Sequence, residues 1–162
     1  MRKSILLFLC VMMIVFSGCI NPTSWNTDLM KNGLNSSELS NDKITASIKT
    51  TDMASDSKNI TILFENKTNS EFLYGHEPRL EVRTDTKWYV VPTKDGIAWT
   101  AIAILLKPNS INEYEEDLGL LYDNLIAGHY RYIKSFSEYY EDDPAPGLSG
   151  TQVTVCIEFD IE

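Results

Sequence analysis

Few side chains in this sequence are equipped for chemistry, and they are scattered. Cysteines stand at Cys10, Cys19 and Cys156, and histidines at His76 and His129. A thiol or imidazole becomes a nucleophile, base or metal ligand when a second group lies within bonding reach. The local sequence supplies no such neighbour: it contains no CxxC, HExxH, GxSxG or glycine-rich phosphate loop. His76 sits beside Glu77 in an expected loop, and His129 precedes Tyr130 near an expected strand start. A fold could still join them, but the bland reading is two solvated turn histidines. No catalytic residue, metal ligand or cofactor is expected.

Two acidic clusters remain: Glu113 with Glu115, Glu116 and Asp117, and the EYYEDD run from Glu138 to Asp143. Hard cations need about six to eight oxygens converging at about 2.3–2.6 Å. EYYEDDPAPG lacks the regular acidic spacing of a calcium loop. One reading is a solvated face plus a loop. The other is a recognition tip, in which Tyr139 and Tyr140 give rigid contact area flanked by Glu141, Asp142 and Asp143.

Cys19 has a different chemistry open to it. Arg2 and Lys3 precede an uncharged run, ILLFLCVMMIVF, over residues 5–16, followed by Phe16-Ser17-Gly18-Cys19. The run is too short to cross about 30 Å of hydrocarbon comfortably but suits a signal-peptide core. Small residues directly before a cysteine resemble the lipobox of bacterial lipoproteins, although Phe16 stands where that family more often has Leu, Val or Ile. The resemblance implies that residues 1–18 are a signal peptide. It also implies that Cys19 becomes the diacylglyceryl-modified first residue on the extracytoplasmic face of the cell membrane. An ordinary secretory signal cleaved near Gly18 and an uncleaved anchor are the rival readings. Two acyl chains hold where one is marginal, since each buried CH₂ contributes about 0.8 kcal/mol.

Charge constrains the partners. The 162 residues carry a net −9, and loss of residues 1–18 leaves 12 basic against 23 acidic side chains, a charge of −11. Nucleic acid is therefore not an expected partner, because sequence-independent binding needs clustered Lys and Arg to displace counterions. An anionic bilayer would repel the domain, so the lipid has to supply attachment. Cys156 has no intramolecular partner once Cys10 is removed and Cys19 alkylated. It is either a shielded thiol on the outer face of a sheet or one half of an intermolecular disulfide.

The elements that would position these groups are strands. Residues 19–43 are rich in Asn, Ser and Thr without apolar period and read as a flexible tether, reaching on the order of 25–30 Å. From residue 44 the apolar residues alternate, as in Ile44, Ala46, Ile48 and Ile60, Ile62, Phe64. The last segment is clearest: Val153, Val155, Ile157, Phe159 and Ile161 face one way, and Cys156 and its even-numbered neighbours face the other. The run over 97–106 reads as a strand, with a buried helix as the alternative. Asp117 is expected to cap a helical turn near 118–126 that Gly128 closes. The sum is an all-β sandwich of about seven or eight antiparallel strands over residues 44–162.

Residues 60–137 also resemble the bacterial Ig-like domain family of exported and lipid-anchored proteins. The pieces are Ile62-Leu63-Phe64-Glu65-Asn66, Tyr74-Gly75, Leu80-Glu81-Val82, Trp88-Tyr89-Val90-Val91-Pro92, Leu106-Lys107-Pro108-Asn109-Ser110, and the run from Leu125 to Lys134. Asn109 stands where the family usually has Gly, and Asn tolerates a left-handed turn. The resemblance implies a fold and an extracytoplasmic setting, with no chemistry. Within it Tyr130 reads as a tyrosine corner, its hydroxyl returning to an upstream backbone group. Trp88 reads as an anchor between the sheets, with a binding hot spot as the alternative. The expected function is non-catalytic binding of a protein or envelope component. Protease inhibition and metal handling or hydrolysis are the rivals.

Overall fold

The computed structural model describes residues 24–39, 41–53, 58–142 and 150–162. The alternating segments form two antiparallel sheets. In the smaller, β1 (Ile44–Asp52) pairs with β2 (Asn59–Asn66), which pairs with β7 (Ile111–Asp117). The larger is organised by β8 (Gly128–Tyr139), which takes β9 (Gln152–Ile161) along one edge. Its other edge is shared. β4 (Arg79–Thr84) pairs with residues 130–133, and β3 (Glu71–Tyr74) with residues 137–139. β5 (Lys87–Val90) extends the sheet beyond β4, and β6 (Ile104–Leu106) beyond β3. The fold is the expected β-sandwich. It has nine strands among the described residues, because two short strands divide one edge of β8.

Alternation determines what lies between the sheets. Tyr130, Tyr132 and Phe136 of β8 are fully buried, as are Ile62 and Phe64 of β2. The Phe64 ring meets Phe136 edge-on at 5.1 Å and Tyr74 at 5.5 Å. Val153, Val155, Phe159 and Ile161 close the core from β9.

Three local expectations are corrected. Of the apolar run 97–106, only Ile104–Leu106 is strand, and none of it is helix. Pro92 lacks an amide donor and Gly96 turns the chain at φ 80°, so this segment crosses the surface with Ile97 and Trp99 leaning on the core. The helical turn α1 covers only Leu118–Leu121. Asp117 does cap it, accepting from the Leu120 N–H at 2.9 Å, but it ends at extended Tyr122, and Gly128 instead begins β8. Asn109 does take a left-handed turn, at φ 49°.

The third correction concerns residues 24–39 and 41–43, the described part of the free tether expected over 19–43. They lie along the larger sheet as a strap. The Trp25 indole donates to the Tyr130 hydroxyl at 3.3 Å. The Gly33 N–H donates to the Trp88 carbonyl, and the Val90 N–H to the Lys31 carbonyl, each at 2.8 Å. Asn41 donates to the Thr154 carbonyl at 2.8 Å, and the Lys43 ammonium lies 3.4 Å from the Glu138 carboxylate. The strap thus follows β8 from the Tyr130 end to the Glu138 end. Its sequence looked unstructured because the attachment runs largely through backbone groups, which leave no apolar period.

Candidate functional site

Four groups of polar side chains are set by this framework. The first lies under the strap. Because Tyr130 and Tyr132 point inward, Arg131 must point to the outer face of β8, directly across from Glu81 of β4. There the strap covers both: Glu81 is fully buried and Arg131 is 4% exposed. Arg131 Nε donates to Glu81 Oε2 at 2.8 Å, and Arg79 Nε donates to Oε1. The strap completes the bonding, since the Leu34 N–H donates to Glu81 Oε1 at 3.0 Å and Arg131 Nη2 donates to the Leu34 carbonyl at 2.7 Å.

Trp88 belongs to this group, which corrects its placement between the sheets. It sits on the outer face with the Arg131 guanidinium 4.3 Å from its ring centroid. Such stacking contributes about 0.5–2 kcal/mol. β5 is an edge strand, and it is Tyr89 rather than Trp88 that leans on the core. Removing one partner of a buried pair of this kind costs about 3–5 kcal/mol. These charges are engaged with each other and with the strap, and so are not free to act on a substrate.

The second group lies between the sheets. The Tyr132 hydroxyl donates to Glu116 at 2.7 Å, and the Lys134 ammonium donates to the His76 carbonyl at 2.9 Å. His76 Nδ1 is 3.2 Å from the Tyr114 hydroxyl, and Lys134 lies 4.6 Å from the Tyr114 ring centroid. Burial pushes the Lys134 ammonium down to about 8, against the pull of the Glu116 and Glu77 charges. Burial likewise raises Glu116, opposed by the Tyr132 hydrogen bond and Lys134. An amine of this acidity is a better nucleophile than an ordinary lysine, but Lys134 is only 1% exposed and a substrate cannot reach it. His76 is thus a partly buried member of a core network, not the solvated residue of the bland reading.

The third group is the far end of the β8–β9 hairpin. Tyr140 is 49% exposed there, with Glu141 and Asp142 exposed beside it and Tyr139 half-buried. The base of the hairpin is tied down. The Glu138 N–H donates to the Thr151 carbonyl at 2.9 Å, and Gly150 passes so near the Glu138 backbone that any side chain would collide. A hydrogen bond from Ser70 chiefly, with Thr151 and Lys43 adding, holds the Glu138 carboxyl below its usual range. Asp143, and Cys19 at the other end of the chain, fall outside the described residues.

At the opposite end, His129 is held between two carboxylates, Asp160 at 2.7 Å from Nδ1 and Glu158 at 2.8 Å from Nε2. Hydrogen bonds to Glu158, then Asp160, raise its pKa. With both ring nitrogens engaged, it has no lone pair to offer a metal. Among the described residues no three His, Cys, Asp or Glu side chains converge on a metal-sized space. Cys156 is half-buried on β9 opposite Ile133, forms no disulfide among the described residues, and has its thiol pushed up chiefly by burial. The sequence pattern carried no sign of the Glu81–Arg131 pair. Each residue alone looked like an ordinary outward-facing polar position, and only the strand register joins them.

A profile of the bacterial Ig-like domain family matches residues 40–159, nearly the whole sandwich. The chain belongs to the bacterial Ig-like domain family. A comparison with curated proteins returned no match. Ig-like domains of this kind are binding or structural modules of extracellular type and are generally non-catalytic. The Glu81–Arg131 and Glu116–Lys134 groups of this Ig-like domain fit that description, because their polar atoms are engaged in bonds that fix the strap and the sheet-to-sheet packing.

Proposed function

We propose that this Ig-like domain is a non-catalytic, lipid-anchored module of the extracytoplasmic membrane face that binds a protein or envelope component through residues 139–142. The observation that carries the binding surface is Tyr140. It stands exposed at the end of a twelve-residue strand, beside Glu141 and Asp142, on a hairpin whose base is pinned. A tyrosine held this way supplies contact area at low entropic cost. The carboxylates around it favour a basic or hydrogen-bond-donating partner surface. The anchor is supported by the basic start, the apolar run and Ser17-Gly18-Cys19.

Two experiments test the halves separately. Cys19→Ala should move the protein from the membrane fraction to the soluble one; retention with membranes would sink the anchor. Crosslinking on intact cells, repeated with Tyr140→Ala/Glu141→Ala/Asp142→Ala, should lose the neighbours captured by the wild type. An unchanged set of neighbours would mean the tip is not the contact surface.

A further inference from the structure

The strap sets at which end of the sandwich the N-terminal segment leaves the domain. The two ends of the sandwich are well defined. Tyr139 and Glu71, Asn66 and Ile44, and the start of β9 lie at one end, which is the tip end. Gly128 and Ile161, and Asn59 and Asp117 with α1, lie at the other. β1 begins at the tip end. A free tether running straight into Ile44 would therefore hang the domain by its tip end and hold residues 139–142 close to the lipid.

The docked strap reverses this. It runs from Asn41 and Lys43, which bond to Thr154 and Glu138, back along the sheet to Trp25, which bonds to Tyr130. The chain leaves the sandwich at the Gly128 end. From Cys19 to Ser24 only five peptide steps remain, at most about 18 Å when fully extended. The tip lies a strand length away, about 36 Å for the twelve residues of β8. Leu120 on α1, 63% exposed, lies at the Gly128 end, and Leu29, 85% exposed, follows Trp25 in the strap.

We propose that strap docking inverts the domain on its anchor, so that the Gly128 end stands at the membrane on a short stalk and the 139–142 tip is presented outward. This rests on the lipid-anchor reading of Cys19. It replaces a long swinging leash with a defined polarity, and it commits the recognition surface to partners beyond the lipid headgroups. The bonds under Gly33 and Leu34 then serve a purpose beyond stability: they hold the outward orientation.

The test uses the full lipidated chain in phosphatidylcholine vesicles carrying a headgroup energy-transfer acceptor. In a Cys156→Ser background, a donor dye is placed at Asn124→Cys, near the Gly128 end, or at Tyr140→Cys. The Asn124 label should lose most of its emission to the acceptor, and the Tyr140 label little. Gly33→Leu, which forces the strap away from Glu81 and Trp88, should abolish or reverse the contrast. Its circular dichroism must match the wild type, and Trp25→Ala provides a second release variant. Equal transfer from both labels, or stronger transfer from Tyr140, in vesicle-bound wild-type chain would overturn the orientation alone. An unmodified Cys19 by mass, with the chain remaining in solution, would overturn the anchor reading and the orientation with it.

Discussion

Gly33 and Trp88 approach so closely that a methyl group added at Gly33 would lie 2.6 Å from the Trp88 Cβ, and it would press on the Glu81 carboxylate as well. The glycine is needed here for space. Its φ lies outside the left-handed region, so backbone strain plays no part. Gly33→Ala should therefore loosen the strap at its middle, at a cost of about 1–3 kcal/mol, as for other overpacked sites. Amide hydrogen exchange reads this locally: protection at Leu34 and Val90 should fall while that of β8 and β9 persists. Unchanged protection at both amides would show that the strap accommodates a side chain and is held elsewhere.

Tyr130 links the strap to the sandwich through one oxygen. Its hydroxyl donates to the Ile126 carbonyl at 2.6 Å and accepts from Trp25 at 3.3 Å, and burial raises its pKa to about 12. Tyr130→Phe keeps the ring in the core and removes both bonds. A loss of about 0.5–1.5 kcal/mol is expected, with the Trp25 emission shifting to longer wavelength as the indole loses its partner. An unaltered denaturation midpoint would mean that the hydroxyl is not a structural link.

These two positions show what the sequence made legible. Tyr130 could be singled out because it combines an alternating strand with a leucine-bearing turn before it, and Asp117 because it precedes a helical turn. Ile62, Phe64 and the odd positions of β9 follow from period two alone. The strap could not be read this way. Leu34 and Lys31 act through their N–H and carbonyl groups, Gly33 through the absence of a side chain, and Asn41 through a single long-range bond. Trp88 misled for a related reason. An aromatic in an alternating strand reads as inward when the register against β8 is unknown, and only the strap explains why an outward tryptophan is covered. Glu81 and Arg131 become a pair only after β4 and β8 are aligned.

His129 predicts a pH dependence on the acidic side. Its folded pKa is raised above the ordinary value of about 6.5 by Glu158 and Asp160. The stabilisation is fully present below about pH 6.5 and is lost as pH rises through the folded value. The group is partly exposed, so solvent limits the effect to about 0.5–1 kcal/mol. His129→Gln should lower the melting temperature at pH 5.5 and leave it nearly unchanged at pH 8.5. A deficit of equal size at both pH values would mean that the residue acts by packing against Trp88 rather than by charge.

Lys134 predicts the opposite slope at higher pH. Its folded pKa, about 8, lies below its ordinary value of 10.5, so between the two the unfolded chain binds more protons and stability rises with pH. The full difference corresponds to on the order of 3 kcal/mol. The groups facing the ammonium are Glu116, Glu77, Tyr114, Tyr132 and the His76 carbonyl. The tyrosines limit the window from above. Burial keeps Tyr114, Tyr130 and Tyr132 protonated in the fold, while in the unfolded chain they ionise near pH 10 and so favour unfolding from there on. Chemical denaturation of the wild type should therefore give a midpoint that climbs from pH 8 towards pH 10 and then falls. The Cys156 thiol, raised by burial, also favours unfolding above its ordinary range, so the comparison is made in a Cys156→Ser background. There Lys134→Met fills the same space without a titrating group, and its midpoint should stay flat over that interval before the same fall. If the climb persisted in the variant, the ammonium would not be the group that titrates, and the cost of burying it would have to be offset by Glu116.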